Sequence, residues 1–183
     1  MKKIFYHVVT ERPMELNQEI IFDENHHSGV YEFIYEKEDL VNDIYDNPSK
    51  YENVELDHHT QLALRELAME EVRLKEYPNY PSRLASLYVS QTLEEAEKWY
   101  DCFIGLGRKT YQIVKIEVDG NSFTGDACNC FKGTINKEEN LKLSKAYWEG
   151  KDNTRGKTPI YETIINGKIK VIEILKTNDE LMK

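Results

Sequence analysis

Apolar and polar positions alternate or recur along this chain in ways that mark its elements one after another. Residues 4–10, IFYHVVT, read as a strand whose strict alternation puts Phe5, His7 and Val9 on one side. Pro13 ends it, because proline cannot donate to a ladder. Residues 23–29, DENHHSG, form a surface turn. Val30, Phe33, Ile34, Leu40, Val41 and Ile44 then fall near helical steps among acidic residues, up to a break at Asn47-Pro48-Ser49. From Asp57, a candidate cap, a long helix follows. Leu62, Ala63, Leu64, Leu67, Ala68, Val72 and Leu74 interleave there with Glu66, Glu70, Glu71 and Arg73. Pro78 and Pro81 stiffen the loop that closes it.

Residues 83–101, RLASLYVSQTLEEAEKWYD, organise the rest. Leu84, Leu87 and Val89 are strand-like around Tyr88, and Thr92 with Glu95 has the Ser/Thr-x-x-Glu spacing of a capping box. Leu93, Ala96, Trp99 and Tyr100 then share one helical face. Residues 105–108 turn, 111–118 alternate as a half-buried strand, and Asp119-Gly120 predicts a hairpin. A helix over 137–148 carries Leu141, Leu143, Ala146, Tyr147 and Trp148. Residues 150–159, GKDNTRGKTP, hold no apolar side chain but three cations, Lys151, Arg155 and Lys157, and predict a mobile loop. Strands over 160–165 and 168–175 flank a turn at Asn166-Gly167, and a polar tail closes the sequence. The pattern predicts one domain over 1–176 with the tail at 177–183.

Composition narrows the class. A chain of 183 residues buries roughly 70% of its extended surface as a single domain. With 40% hydrophobic and 31% charged residues it reads as a soluble globular protein, and no apolar run approaches the ~20 residues of a membrane span. The opening MKKIFYHVVTER turns charged at once, without an h-region, and predicts mature structure rather than a signal. A net charge of -9 works against sequence-independent binding to nucleic acid. Three cysteines, an odd number, predict reduced thiols and a cytoplasmic location. Cys128-x-Cys130 with Cys102 elsewhere lacks the fourth ligand and paired spacing of a zinc site, so no metal is expected. The His26/His27 and His58/His59 pairs read as exposed.

Three short stretches carry a resemblance. His7 in YHVVT lies on an N-terminal strand, Tyr88 in SLYVS at a strand-to-helix junction, and Glu162 in PIYETIINGKIKVIEI on a late strand. In that order they resemble the His-Tyr-Glu branch of the ADP-ribosyltransferase-like superfamily, which includes diphtheria toxin and the poly(ADP-ribose) polymerases. Trp99 stands eleven residues after Tyr88, where that branch carries a second aromatic. The chain also resembles a small uncharacterised bacterial family grouped with this fold. The resemblance implies an α+β, ADP-ribosyltransferase-like split antiparallel β-sandwich with flanking helices and NAD as co-substrate. It further implies that His7 positions the ribose, Tyr88 and Trp99 sandwich the nicotinamide, and Glu162 is catalytic. Arg83, together with Lys151, Arg155 and Lys157 of the loop, is a candidate for the diphosphate, and the loop cations also for an acidic acceptor. Ile160, two positions before Glu162, replaces the acid or amide of members that modify Arg or Asn, which disfavours those targets.

The chemistry suits such residues. Aromatic faces attract the flat nicotinamide cation, worth about 0.5–2 kcal/mol. Breaking its glycosidic bond puts positive charge on the ribose, which a nearby carboxylate stabilises. A neutral imidazole fixes ribose hydroxyls. Each residue also has a plain structural alternative: His7 as a satisfied core imidazole, Tyr88 and Trp99 as core, Glu162 as a solvated charge turned outward by alternation. The expected activity is ADP-ribosyl transfer or NAD glycohydrolysis, with a protein or small-molecule acceptor favoured over nucleic acid. The alternative is a non-catalytic binding module of the same fold, a candidate homodimer, since 12 tyrosines suit an interface. A two-carboxylate glycosidase has no singled-out pair, and a tRNA phosphotransferase needs basic residues that the acidic balance does not provide.

Overall fold

Alternation along β1 (Lys3–Val9) sends its side chains into two cores: Phe5 and Val9 face one, Val8 and Tyr6 the other. The computed structural model describes residues 2–182. In it β1 borders a four-stranded sheet with β4 (Gln112–Asp119), β7 (Gly167–Thr177) and β2 (Glu19–Phe22), in the order β1-β4-β7-β2. A second sheet runs β3 (Leu87–Val89), β6 (Tyr161–Ile165) and β5 (Ser122–Asp126). Every pairing in both sheets is antiparallel. Val114, Ile116, Val118, Ile169 and Val171 of the larger sheet meet Val89 and Ile165 of the smaller, so one core lies between the sheets. Each such buried side chain contributes roughly 1.5–3 kcal/mol.

The other face of the smaller sheet carries Phe123 and Ile164. It is closed by α3 (His58–Glu76) and α5 (Lys137–Trp148) through Met69, Val72, Tyr147 and Trp148. α1 (Tyr31–Tyr35) and α2 (Glu38–Asp46) set Ile34, Val41 and Ile44 against Ala63 and Leu64 of α3. α4 (Leu93–Gly105) covers β1 and β4 from outside, Ala96 and Tyr100 packing on Val8 and Ile113. The fold is therefore mixed α+β, with two sheets and helices outside them. Among the described residues no helix is long and apolar enough to cross a membrane.

Side-chain oxygens start the long helices. Asp57 accepts the Thr60 amide at 2.9 Å and Asn136 the Glu139 amide at 3.0 Å. Thr92 accepts the Glu95 amide at 3.2 Å, and Glu95 reaches back to the Gln91 amide at 3.0 Å, one residue before the cap itself.

The Asp119-Gly120 turn is not the hairpin its sequence predicts, and the turn at Asn166-Gly167 runs beside it. β4 and β5, joined through Asp119-Gly120, lie in different sheets, and so do β6 and β7, joined at Asn166. Both turns carry the chain across from one sheet to the other, side by side. The Asn121 amide donates to Asn166 Oδ1 at 2.9 Å, and the Asn166 amide to the Asn121 carbonyl at 3.1 Å. A Cβ on Gly120 would overlap the Asn166 carbonyl, and one on Gly167, whose φ is +88°, would overlap the Asp119 carbonyl. The glycines permit this backbone crossing. The sheets are joined again where Tyr6 and Ser90 exchange backbone hydrogen bonds of 3.0 and 2.7 Å.

The loop expected to be mobile, 150–159, is instead tied down. Asn153 donates its backbone and side-chain amides to the buried Asp126 carboxylate, and its own Oδ1 accepts from the Arg155 and Lys157 amides. The polar tail is docked at Asn178, which donates to the Tyr111 and Thr110 carbonyls at 2.7 and 3.2 Å.

Candidate functional site

Alternation in β6 turns Tyr161, Thr163 and Ile165 to one face and Glu162 with Ile164 to the other. Ile164 faces the core under α3 and α5, so Glu162 points the same way, and its side chain keeps only 16% of its surface. It does not project into open solvent. Oε1 of Glu162 accepts from Arg83 Nη1 and, at 2.7 Å, from the Tyr147 hydroxyl, with the Cys130 thiol 4.0 Å away. Among the described residues no donor reaches Oε2. One oxygen is therefore clamped and the other is not.

Arg83, at the mouth of β3, is 7% exposed. Its Nη1 also donates to the Tyr147 hydroxyl at 2.7 Å, and its Nε to Glu66 Oε2 at 2.9 Å. Glu66, on α3, accepts in addition from Arg65 Nε and Nη2 at 2.9 and 2.8 Å. Two guanidinium groups and two carboxylates thus balance in charge beneath the smaller sheet. Burial alone would push the Glu66 carboxyl up, but Arg83 and Arg65 outweigh it and hold it below its usual range. Burial disfavours the Arg83 cation, yet Glu66 and its neighbours hold it firmly protonated. Burial pushes the Cys130 thiol up to about 11, so it is no thiolate near neutrality. The Tyr147 phenol is likewise raised by burial and stays a donor.

Tyr88 lies opposite Ile164 in the β3–β6 pairing, hence on the Glu162 face. Tyr88 is 41% exposed, and its ring stacks under the Arg83 guanidinium, 5.6 Å from Cζ to centroid. His7 meets the same residue through its backbone: Nδ1 lies 2.7 Å from the Tyr88 carbonyl oxygen. A carbonyl only accepts, so Nδ1 carries the hydrogen and Nε2 keeps a lone pair. Burial lowers the imidazole pKa to about 4; the Tyr88 carbonyl opposes this and the Arg108 charge adds to it. His7 is neutral at physiological pH.

Two predicted residues are placed otherwise than their expected roles require. Arg83 cannot be a free diphosphate ligand, because it is buried and each of its three nitrogens already donates to Glu66, Tyr147 or Glu162. Trp99 packs on Phe103, 5.5 Å between ring centroids, in the core under α4, whereas the Tyr88 ring lies against Arg83. Each ring has a different partner. Lys151, Arg155 and Lys157 are exposed. On the opposite face of β6 a half-open hollow of about 200 Å³ is lined by Gln91, Glu95, Thr124, Tyr161 and Thr163. Among the described residues no group of three or more His, Cys, Asp or Glu side chains is arranged to hold a metal.

Sequence reasoning missed Glu66, Tyr147 and Asp126. Glu66 passes for one of the solvated acids of α3, although Ala63, Glu66, Glu70 and Arg73 recur at helical steps along the packed stripe; that was the available signal. Nothing in the α5 pattern sets the Tyr147 hydroxyl apart from core aromatics.

Two antiparallel sheets around an apolar core, with a charge-balanced cluster and a half-exposed tyrosine on the outer face of the smaller one, define an α+β protein with a candidate polar site at that cluster. Comparison with curated proteins finds no match. The chain belongs to DUF2441, described as a protein of unknown function, whose family pattern matches residues 5–177.

Proposed function

We propose that the chain binds NAD and cleaves its nicotinamide–ribose bond, passing ADP-ribose to an acceptor or to water. The observation that carries this reading is the Glu162 carboxylate, with Oε1 clamped by Arg83 and Tyr147 and Oε2 unclaimed, on the same sheet face as the exposed Tyr88 ring. A carboxylate so held needs little reorganisation to meet charge developing on the ribose, which is where preorganised groups are most effective. The bond breaks with its electron pair leaving on nicotinamide. The ribose cation faces Glu162, and the nucleophile takes its place at the anomeric carbon. Tyr88 offers the departing ring a face, and the His7 Nε2 lone pair accepts from a ribose hydroxyl.

Nicotinamide release by the wild type and by Glu162→Gln tests this. Glutamine keeps the shape but not the charge, and the account expects a loss of at least ~100-fold in rate with NAD affinity nearly unchanged. Equal rates in both proteins contradict it.

The Arg83–Glu162 pair favours a second reading, because a cation already neutralises the carboxylate, and Trp99 is engaged with Phe103. On that reading the Glu162 site binds a nucleotide without turning it over, in a chain that pairs with a second copy. Calorimetric binding of NAD or ADP-ribose without nicotinamide release, together with a dimer by light scattering, supports it over the first.

A further inference from the structure

Among the described residues the one buried carboxylate outside the Arg83 cluster is Asp126, at the end of β5, with no exposed surface and no cation paired to it. Four N–H groups satisfy it instead. Oδ1 accepts from the Cys128 and Ile160 amides at 2.9 and 3.0 Å. Oδ2 accepts from the backbone and side-chain amides of Asn153 at 2.8 and 2.7 Å. The donors come from three segments: the turn leaving β5, the middle of the 150–159 loop, and the residue just before β6. An ionised carboxylate in such a cradle is strongly held. Burial would raise its pKa, and the four donors bring it well below the usual carboxylate range.

Asn153 passes the constraint on. Its Oδ1 accepts from the Arg155 and Lys157 amides at 3.1 and 3.2 Å, and its Nδ2 also donates to the Lys157 carbonyl at 3.0 Å. A segment with no apolar anchor, bearing three exposed cations, thus takes the shape of its middle from one buried carboxylate. Nearer its start, Asn129 Nδ2 donates to the Lys151 carbonyl at 2.8 Å and the Tyr161 hydroxyl to Asp152 at 2.7 Å. On the other side, Ile160 leads directly into Tyr161, which pairs with Asp126 across β5–β6, and then into Glu162. The Ala127 amide donates to the Ile160 carbonyl at 2.7 Å, so Ile160 is gripped through both its backbone groups.

We infer that Asp126 is a positioning residue: through Asn153 it sets the shape of the 150–159 loop, and through Ile160 it fixes the start of β6 and hence the stance of Glu162. What that stance serves rests on the function proposed above; the dependence of loop and strand on Asp126 does not. Asp126→Asn keeps the size but turns an NH2 group toward the donors of Asn153. Adding Asn153→Asp supplies an acceptor for that NH2 and retains one for the Arg155 and Lys157 amides. It leaves the residue 153 amide facing the NH2 and the Lys157 carbonyl without its side-chain donor, so recovery is partial.

Limited trypsin digestion of the full chain reads the loop at Arg155 and Lys157. Asp126→Asn is expected to be cut there about tenfold faster than wild type, with sites elsewhere unchanged, and the double variant to return to within about threefold. The Nε–H NMR signal of Arg83, whose guanidinium also holds Glu162, is expected to shift in the single variant and to move back in the double. Unchanged cleavage, acceleration at every site alike, failure of the double variant to recover, or an unmoved Arg83 signal overturns the inference. Where wild type turns NAD over, Asp126→Asn lowers kcat about tenfold with KM held, since position and not binding is lost. Where it does not, the function proposed above fails while digestion and the Arg83 signal still decide the role of Asp126.

Discussion

At the scale of single residues, His7 is the most informative. Strand alternation places it between Phe5 and Val9, and it fills that place by capping a backbone carbonyl of the neighbouring sheet rather than by packing alone. Its pKa, about 4 when folded, lies below the ordinary value of 6.5. Between those values the unfolded chain binds the proton and the folded one does not. The contribution to stability is therefore fully present above pH 6.5 and is lost as pH falls toward about 4. Asparagine at this position keeps a donor near Nδ1 and cannot titrate. Urea unfolding at pH 7 and pH 4.5 is expected to show wild type losing about 2 kcal/mol more than His7→Asn. Equal losses would mean that His7 is as well solvated folded as unfolded. Arg83 makes the complementary point: a cation beside a predicted site is not a ligand site once its donors are used, and only the structure reveals Glu66 and Tyr147 as what uses them.

At the scale of elements, the crossing turns give the sharpest test. Gly167→Ala puts a Cβ onto the Asp119 carbonyl at a positive φ and is expected to cost roughly 2–4 kcal/mol by thermal or urea unfolding. Gly107→Ala, also at positive φ but with open space around it, is expected to cost only about 1 kcal/mol. Equal costs would place the whole effect in φ and none in the contact between the turns. The same turns mark how far elements could be read in the sequence. Periodicity and caps located β1, α3, α4, α5 and β4 to within a residue or two, because those signals are local. The partner of each strand is not local. Asp119-Gly120 looks identical in sequence whether the next strand returns beside β4 or crosses to the other sheet. The loop over 150–159 was misread for the same reason: its anchor, Asp126, lies 27 residues from Asn153 and resembles any strand-end acid. Of the candidate site, Tyr88 and Glu162 share one face of the smaller sheet beside Arg83, while His7 meets Tyr88 only at its backbone carbonyl. The predicted stacking role of Trp99 failed to find its counterpart because helical phase turned that ring under α4.

At the scale of the whole molecule, the two sheets meet where Tyr6 and Ser90 pair; His7 reaches the Tyr88 carbonyl beside that seam, and Arg83 and Glu162 lie with the Tyr88 ring on the outer face of the smaller sheet. Family membership covers nearly the whole chain, residues 5–177, so all of these positions fall within one family unit. With a net charge of -9, the exposed Arg155 and Lys157, with Lys151 paired to Glu149, form a local exception just before β6, which on the function proposed above is where the anionic nucleotide meets the protein. The central claim is that Glu162 Oε2 faces the bond to be broken. A crystal structure of Glu162→Gln soaked with NAD tests it most directly, since the variant is expected to hold the dinucleotide uncleaved. The account predicts the nicotinamide ring against Tyr88 and the anomeric carbon of its ribose within about 3–4 Å of the residue 162 side chain. An ordered NAD bound elsewhere, or a Glu162 site that stays empty at saturating NAD, would contradict it.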